Sequence, residues 1–483
     1  MSQTESSARD AYSSPLAERY ASRAMLSLWS PARRYGLWRR LWLALAEAQR
    51  ELGVDIPAAA LQQMSQHLDD IDFDAVAGYE KKFRHDVMAH VYAFGDAAPA
   101  ARPFIHFGAT SAFVTDNADL VLMREGLVLL RDRAVAVLRS LAEFARTWRA
   151  EPTLGYTHLQ PAQLTTVGKR ATLWMQDLAL DLADIETRIE TLPLRGVKGT
   201  TGTQASFLEI FQGDHARVRA LDARVCQAMD FKRSLPVTGQ TYSRKIDAQV
   251  LGVVAGLAAS GAKFSSDVRM LQAFGEASEP FESEQIGSSA MAYKRNPMRS
   301  ERIASLARFV GSLEPNANQT HAVQYFERTL DDSANRRLVI PESFLATDAI
   351  LLLMENVAHG LEVHRARIRQ RVMDELPFMA TEQLIVRAVE AGADRQAVHE
   401  VIRRHAVAAA STMKNNGGSN DLLERLAGDA EFPVSLGDLR SLADPVRFTG
   451  RAAHQVDEFL VEVVEPILAR VGPTPLHEEA IHV

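Results

Sequence analysis

The run GSSAMAYKRNPMRSER fills residues 287–302 and sets Gly287, Ser288 and Ser289 ahead of Lys294, Arg295, Asn296, Arg299 and Arg302. Hydroxyls on a slim backbone beside a row of cations suit a segment that grips an anion. Further polar stretches punctuate the chain: RHDVMAH (84–90), HFGATS (106–111), GYTHLQPAQ (155–163), VKGTTGTQASF (197–207), GQTYSRK (239–245) and FERTLDDSANRR (326–337). Arginines at 19, 84, 302, 328, 336 and 337 alternate along the chain with Thr110, Ser111, Gln240, Ser243 and Ser333. Together they match a ligand with several anionic oxygens, a phosphate or a dicarboxylate.

Taken singly, each stretch has a plainer reading. A lone loop histidine is usually structural, and His85–Asp86 reads as a capping pair. His85 and His90 stand five apart, the wrong spacing for a shared metal on a helix, and there is no HExxH. KGTTGTQ lacks the spacing of a phosphate-cradling loop and follows no strand. No nucleotide-cofactor fingerprint is present, so neither cofactor nor metal is expected.

Composition narrows the class. The chain has 483 residues, 47% of them hydrophobic, and 54 basic against 61 acidic side chains give a net charge of −7. Length suggests two to four domains. The charge balance argues against a nucleic-acid binder. The one cysteine, Cys226, permits no internal disulfide and points to a reducing cytoplasm. The N-terminus is polar, and its first fourteen residues read as a loose tail. No eighteen residues in a row are apolar, so no membrane span is expected.

The elements that must position these residues are long helices. From Asn117 to Trp148, Leu120, Met123, Leu127, Leu130, Ala134, Val137, Leu141, Phe144 and Trp148 repeat at three and four, a helical seam. At 1.5 Å per residue this rod is about 48 Å long. A second rod starts near Thr166 and stops at Pro193. A third runs from about Ser243 to Phe274, with seam residues Ile246, Val250, Val253, Leu257, Gly261, Phe264, Val268 and Leu271. A fourth starts at Pro297 with Asn296 as its cap, and a fifth follows Pro341 and runs to about Glu375. No alternating run reads as a strand. The expectation is an all-α protein of three helical domains: 1–111, a central long-helix bundle over 112–364 that carries the 287–302 loop, and 365–483.

The ordered blocks IHFGATS, YTHLQPAQLTTVGKR, VKGTTGTQASF, GQTYSRK, GSSAMAYKRNP and FERTLDDSANRR resemble those of the fumarase/aspartase superfamily, and within it the adenylosuccinate lyases. The likeness is strongest over residues 15–345; DPVRFTGRA (444–452) also fits. One departure is Ala292, where the family usually has proline.

The resemblance implies a homotetramer whose central bundle is shared. It implies cleavage of a C–N bond without water to release fumarate, from adenylosuccinate and from succinyl-aminoimidazole-carboxamide ribotide. Ser288 is then the candidate base, ahead of Ser289, and His158 the candidate acid, a role that suits imidazole. His85 assists, Lys294 and Asn296 hold the dicarboxylate end, and the helix start at Pro297 adds a positive dipole. Thr110, Ser111 and Gln240 contact the succinyl portion or nearby polar atoms, and Thr157 also binds substrate. Arg19, Tyr20, Arg302, Arg328, Ser333 and Arg337 match nucleotide-holding positions, and Arg84 and Asp86 line the ribose or base side. The Gly-Ser-Ser segment reads as a lid. Two rivals stand beside this reading. One is a superfamily lyase acting on argininosuccinate or a specialised N-succinyl compound, and the other is an inactive binding member.

One expectation rests on geometry rather than resemblance. Polar blocks at opposite ends of a ~48 Å rod cannot meet within one chain. Antiparallel neighbours bring them together, so each pocket should draw on more than one subunit.

Overall fold

The computed structural model describes residues 10–282 and 284–472; the tail read over the first fourteen residues lies, for positions 1–9, outside the described residues. Five long helices form the centre: α1 (Ser111–Thr147), α2 (Val167–Thr191), α3 (Lys245–Phe274), α4 (Met298–Ala322) and α5 (Asp332–Gly360). Successive rods alternate in direction and pack on one another. In α1 every seam residue from Leu120 to Leu141 is buried. In α3 the seam is buried as read, except that Val254 takes the fully buried place expected for Val253. This helix is long and apolar enough to cross a membrane by composition, which the count of uninterrupted apolar residues missed; half of that stretch is buried against its neighbours in the bundle.

Shorter helices, among them Pro31–Glu51, share the bundle's core. At its start Ser30 accepts a hydrogen bond from the Arg33 N–H, and Pro31 sits in the first turn. A second hydrophobic core gathers residues 368–443 together with Leu154, Leu164 and Val167.

Three expectations are corrected. First, strands exist. β1 (Pro152–Thr157) and β2 (Gln160–Thr166) form an antiparallel hairpin with an irregularity between Leu154 and Tyr156. The sequence hides it because GYTHLQPAQ is short and rich in turn formers. Gly155 is required there: a Cβ would stand 2.6 Å from the Gln163 carbonyl oxygen. A second pair, β3 (Ala277–Ser278) with β4 (Glu362–Val363), is only two residues long.

Second, α5 begins at Asp332 and passes through Pro341. Its polar first turns are helical because Asp332 and Arg336 are buried in an ion network. It ends at Gly360, where the chain turns into β4; a separate helix then covers Arg365–Met379.

Third, Asn296 does not cap α4. Pro297 occupies the cap position, and the Asn296 amide donates to the Gly287 carbonyl at 2.8 Å.

Candidate active site

The candidate residues fall into three groups. The first lines a cavity of about 700 Å³ where α1, α3 and α5 begin; it gathers Arg84, His85, Asp86, Thr110, Ser111, Gln240, Arg328, Ser333 and Arg337. Arg84 closes a helix (Phe73–Phe83) in left-handed backbone, φ 56°. His85 caps the next (Asp86–Ala97), its Nδ1 accepting the Met88 N–H at 3.3 Å, while its Nε2 lies 3.4 Å from Ser111 Oγ. Gln240 donates to Thr110 Oγ1 at 3.3 Å, and its carbonyl accepts from Arg195 Nε at 2.9 Å. Arg337 pairs with Asp86 at 3.1 Å and is otherwise exposed to the cavity side.

Beneath this cavity lies an ion network that the sequence reading missed. Arg244 bridges Asp116 (3.1 Å) and Asp332 (2.7 Å); Arg336 binds Asp247 (2.6 Å) and Asp119 (3.0 Å). Burial alone would raise the Asp116 carboxyl. The guanidinium groups of Arg244, Arg336 and Arg195 outweigh it and hold that carboxyl below the usual range. Burial pulls Arg195 down to about 10, which still leaves it cationic at neutral pH. One signal could have found the network: Asp116, Asn117 and Asp119 sit on an otherwise apolar stretch of α1.

A buried histidine, His90, and a half-buried one, His106, border the same region. His106 accepts the Trp42 indole N–H at 2.9 Å through Nδ1, a bond only the neutral ring can accept. Burial pulls both His90 and His106 down to about 4. Between about pH 6.5 and 4 the unfolded chain therefore binds protons that the folded chain refuses. Stability should fall as pH falls through that window, by roughly 1.4 kcal/mol per unit per histidine. Urea unfolding of the double variant His90→Gln/His106→Gln should show a flatter slope there.

The second group is the tip of the β1–β2 hairpin. His158 and Leu159 form a two-residue turn with φ of 54° and 56°. Turns of that shape normally carry Asn-Gly. Two ordinary side chains held in left-handed backbone are strained, a condition that clusters at functional sites. Thr157 and His158 are exposed, and Leu159 is 72% exposed.

The third group is the loop between α3 and α4. Ser288 Oγ accepts the N–H of Ala290 (3.3 Å) and of Met291 (3.2 Å); Ser289 and Lys294 are exposed. Arg302 lies over the Tyr20 ring at 5.1 Å, with exposed Arg19 next to it in the Leu16–Tyr20 turn.

Parts of the anion-gripping reading of this loop do not hold. Arg299 is 1% exposed and spent on Glu282 (2.7 Å) and the Pro280 carbonyl, so it pins the loop's root. The start of α4 is also occupied: the Glu279 carboxylate takes the N–H groups of Arg299 (2.9 Å) and Ser300 (3.0 Å). An internal carboxylate thus neutralises the dipole end assigned to substrate. Gly287 is set by close approach rather than freedom, since a Cβ would lie 2.2 Å from the Lys294 carbonyl oxygen.

One chain does not assemble the three groups. The cavity lies at the start of α1 and the His158 hairpin follows its other end, and 37 residues of helix separate them by roughly 55 Å. The Ser288 loop leaves from the end of α3 that touches the hairpin: the rings of Phe274 and Tyr156 are 5.4 Å apart.

Comparison with known proteins adds sequence likeness to this geometry. Residues 7–311 match the family model described as "Lyase", and residues 377–459 the one described as "Adenylosuccinate lyase C-terminus". The chain is 50% identical over 462 residues to the adenylosuccinate lyase of Saccharomyces cerevisiae, covering 95% of this chain and 96% of that one. It is 46% identical to that of Schistosoma mansoni, covering 95% and 96%. Among solved structures, a fumarate lyase from Mesorhizobium sp. BNC1 superposes with a TM-score of 0.76 at 23% identity, covering 92% of this chain and 99% of that one. The 3-carboxy-cis,cis-muconate lactonizing enzyme of Pseudomonas putida gives 0.80 at 20%, covering 94% and 99%. These two share the fold.

Proposed function

The chain belongs to the adenylosuccinate lyase family of the fumarase/aspartase superfamily, and from that premise we propose how its three groups of residues work. The reaction is elimination across a C–C bond of the succinyl group. Fumarate leaves, and adenylosuccinate becomes AMP. Succinyl-aminoimidazole-carboxamide ribotide carries the same N-succinyl group and is the second proposed substrate.

Ser288 removes the proton beside the carboxylate. The observation that carries this choice is the pair of backbone N–H groups aimed at its Oγ. Donors already in place lower the barrier to an alkoxide. Exposed Ser289 is the weaker candidate. Lys294 and Asn296 hold the dicarboxylate end. Electrons released at the carbon form the new C=C bond, and the C–N bond breaks. His158 delivers a proton to the departing nitrogen, and His85, beside Ser111, assists. Thr110, Ser111, Thr157 and Gln240 hold the succinyl part, while Arg84 and Asp86 flank the ribose or base.

Arg19, Tyr20, Arg302, Arg328, Ser333 and Arg337 hold the nucleotide and its phosphate. Arg337 is poised by Asp86 at 3.1 Å. Arg337→Ala should raise KM by roughly ten- to a hundred-fold, the worth of one charge-assisted hydrogen bond, with a smaller change in kcat. Steady-state kinetics on adenylosuccinate would check it, and an unchanged KM would remove the phosphate from this arginine.

Because the cavity lies roughly 55 Å along α1 from the hairpin and the Ser288 loop, we place each active site between subunits of a homotetramer, with the His158 and the Ser288 of one site supplied by different chains. The outward line Gly252, Ala259 and Ser266 on α3, exposed in one chain, supports this. Small residues at that spacing let another helix approach closely. The single cysteine, Cys226, is buried and free, in keeping with the cytoplasmic location proposed. The direct test of the activity is an absorbance assay with adenylosuccinate, following fumarate. Assembled protein that leaves adenylosuccinate intact would refute it.

A further inference from the structure

Where the hairpin meets the Ser288 loop, three side chains close a triangle. Arg371 Nε donates to Glu276 Oε1 at 2.8 Å, Arg371 Nη2 donates to Tyr156 Oη at 2.9 Å, and the Tyr156 hydroxyl faces the same Oε1 at 3.4 Å. Glu276 is 1% exposed, so its charge is removed from water and depends on these partners. Arg170 completes the charge balance, 3.9 Å from Glu276 and bonded to the Leu154 carbonyl of β1. Phe274 carries the Arg371 guanidinium on its ring at 4.5 Å and meets the Tyr156 ring beside it.

The position of each residue gives the triangle its meaning. Tyr156 is two residues before His158 on the strand that ends in the strained turn. Glu276 starts the segment that leads to Glu279, whose carboxylate fixes the start of α4 and so the far root of the Ser288 loop. Arg371 comes from the Arg365–Met379 helix, whose apolar side shares a core with the hairpin.

We propose that Tyr156, Glu276 and Arg371 form a positioning cluster that fixes the His158 turn against the root of the Ser288 loop. In the tetramer it thereby links, through one subunit, the proton donor of one active site to the base of another. The proposal rests on the reading that His158 donates, Ser288 accepts, and each site takes them from different subunits. None of the three touches substrate. They act by holding the two groups that do, and displacement by about 1 Å can lower a rate up to a hundred-fold.

Hybrid tetramers test this and separate its failure from that of the reading. Mixing His158→Ala chains with Ser288→Ala chains creates sites in which one chain supplies an intact hairpin and another an intact loop. Tyr156→Phe, which keeps the ring and removes only the hydroxyl, is then placed on one chain type at a time. Either placement should lower kcat of the hybrid about ten-fold with KM unchanged. Arg371→Ala should behave likewise in the parent tetramer and be partly rescued by added ethylguanidine, which a loss of folding would not be.

An effect from the hairpin-supplying chain alone, or from neither, would overturn the link. So would an Arg371→Ala loss that tracks melting and resists rescue. If the unmodified hybrid regains no activity, or either single variant is active alone, the underlying reading fails instead.

Discussion

Ser288→Ala should lower kcat for fumarate release by about three orders of magnitude, within the range for loss of a positioned general base. Fold and assembly should be untouched. The hydroxyl accepts only two bonds, at 3.2 and 3.3 Å, both inside its own loop, so its loss strands no buried partner elsewhere. Substrate binding should persist, because Lys294 and the arginines remain. The measurement is single-turnover fumarate formation beside a binding isotherm. Ser289→Ala is the companion variant and should stay within a few-fold of the parent. If the two serines exchange these outcomes, the base is Ser289 and the two N–H groups at Ser288 only shape the loop.

His158→Ala should lower kcat by about 10²- to 10³-fold, since the nitrogen must then depart without a placed proton donor. His158→Gly adds a control that separates chemistry from folding. Glycine adopts the left-handed backbone without strain, so the variant should melt at or above the parent temperature while remaining inactive. That pairing of retained stability with lost turnover marks strain kept for function.

The subunit arrangement predicts more. When inactive His158→Ala and Ser288→Ala tetramers are dissociated and reassembled together, about one quarter of the sites should hold both groups, if the two come from different subunits. If both came from one chain, no site would recover. Activity at zero would therefore remove the shared site, even with both single variants inactive.

The helical architecture was legible in the chain because burial of one face imposes a period that residue types must follow. The seam from Leu120 to Leu141 could be read directly and is buried throughout. The polar blocks stood out too, as breaks in that period, and they fall at the cavity, the hairpin turn and the 287–302 loop. Three things required the tertiary structure. The hairpin carrying His158 forms because residues 152–166 pair and rest on a core built some 200 residues later, which no local pattern announces. The fates of Arg299 and of the first turn of α4 turned on Glu279, twenty residues upstream of Arg299 and adjacent only after folding. Charges such as Asp116 and Arg244 look alike in sequence whether they face water or each other. Type and order follow from local chemistry, whereas pairing depends on distance through space, and only the folded chain sets that distance.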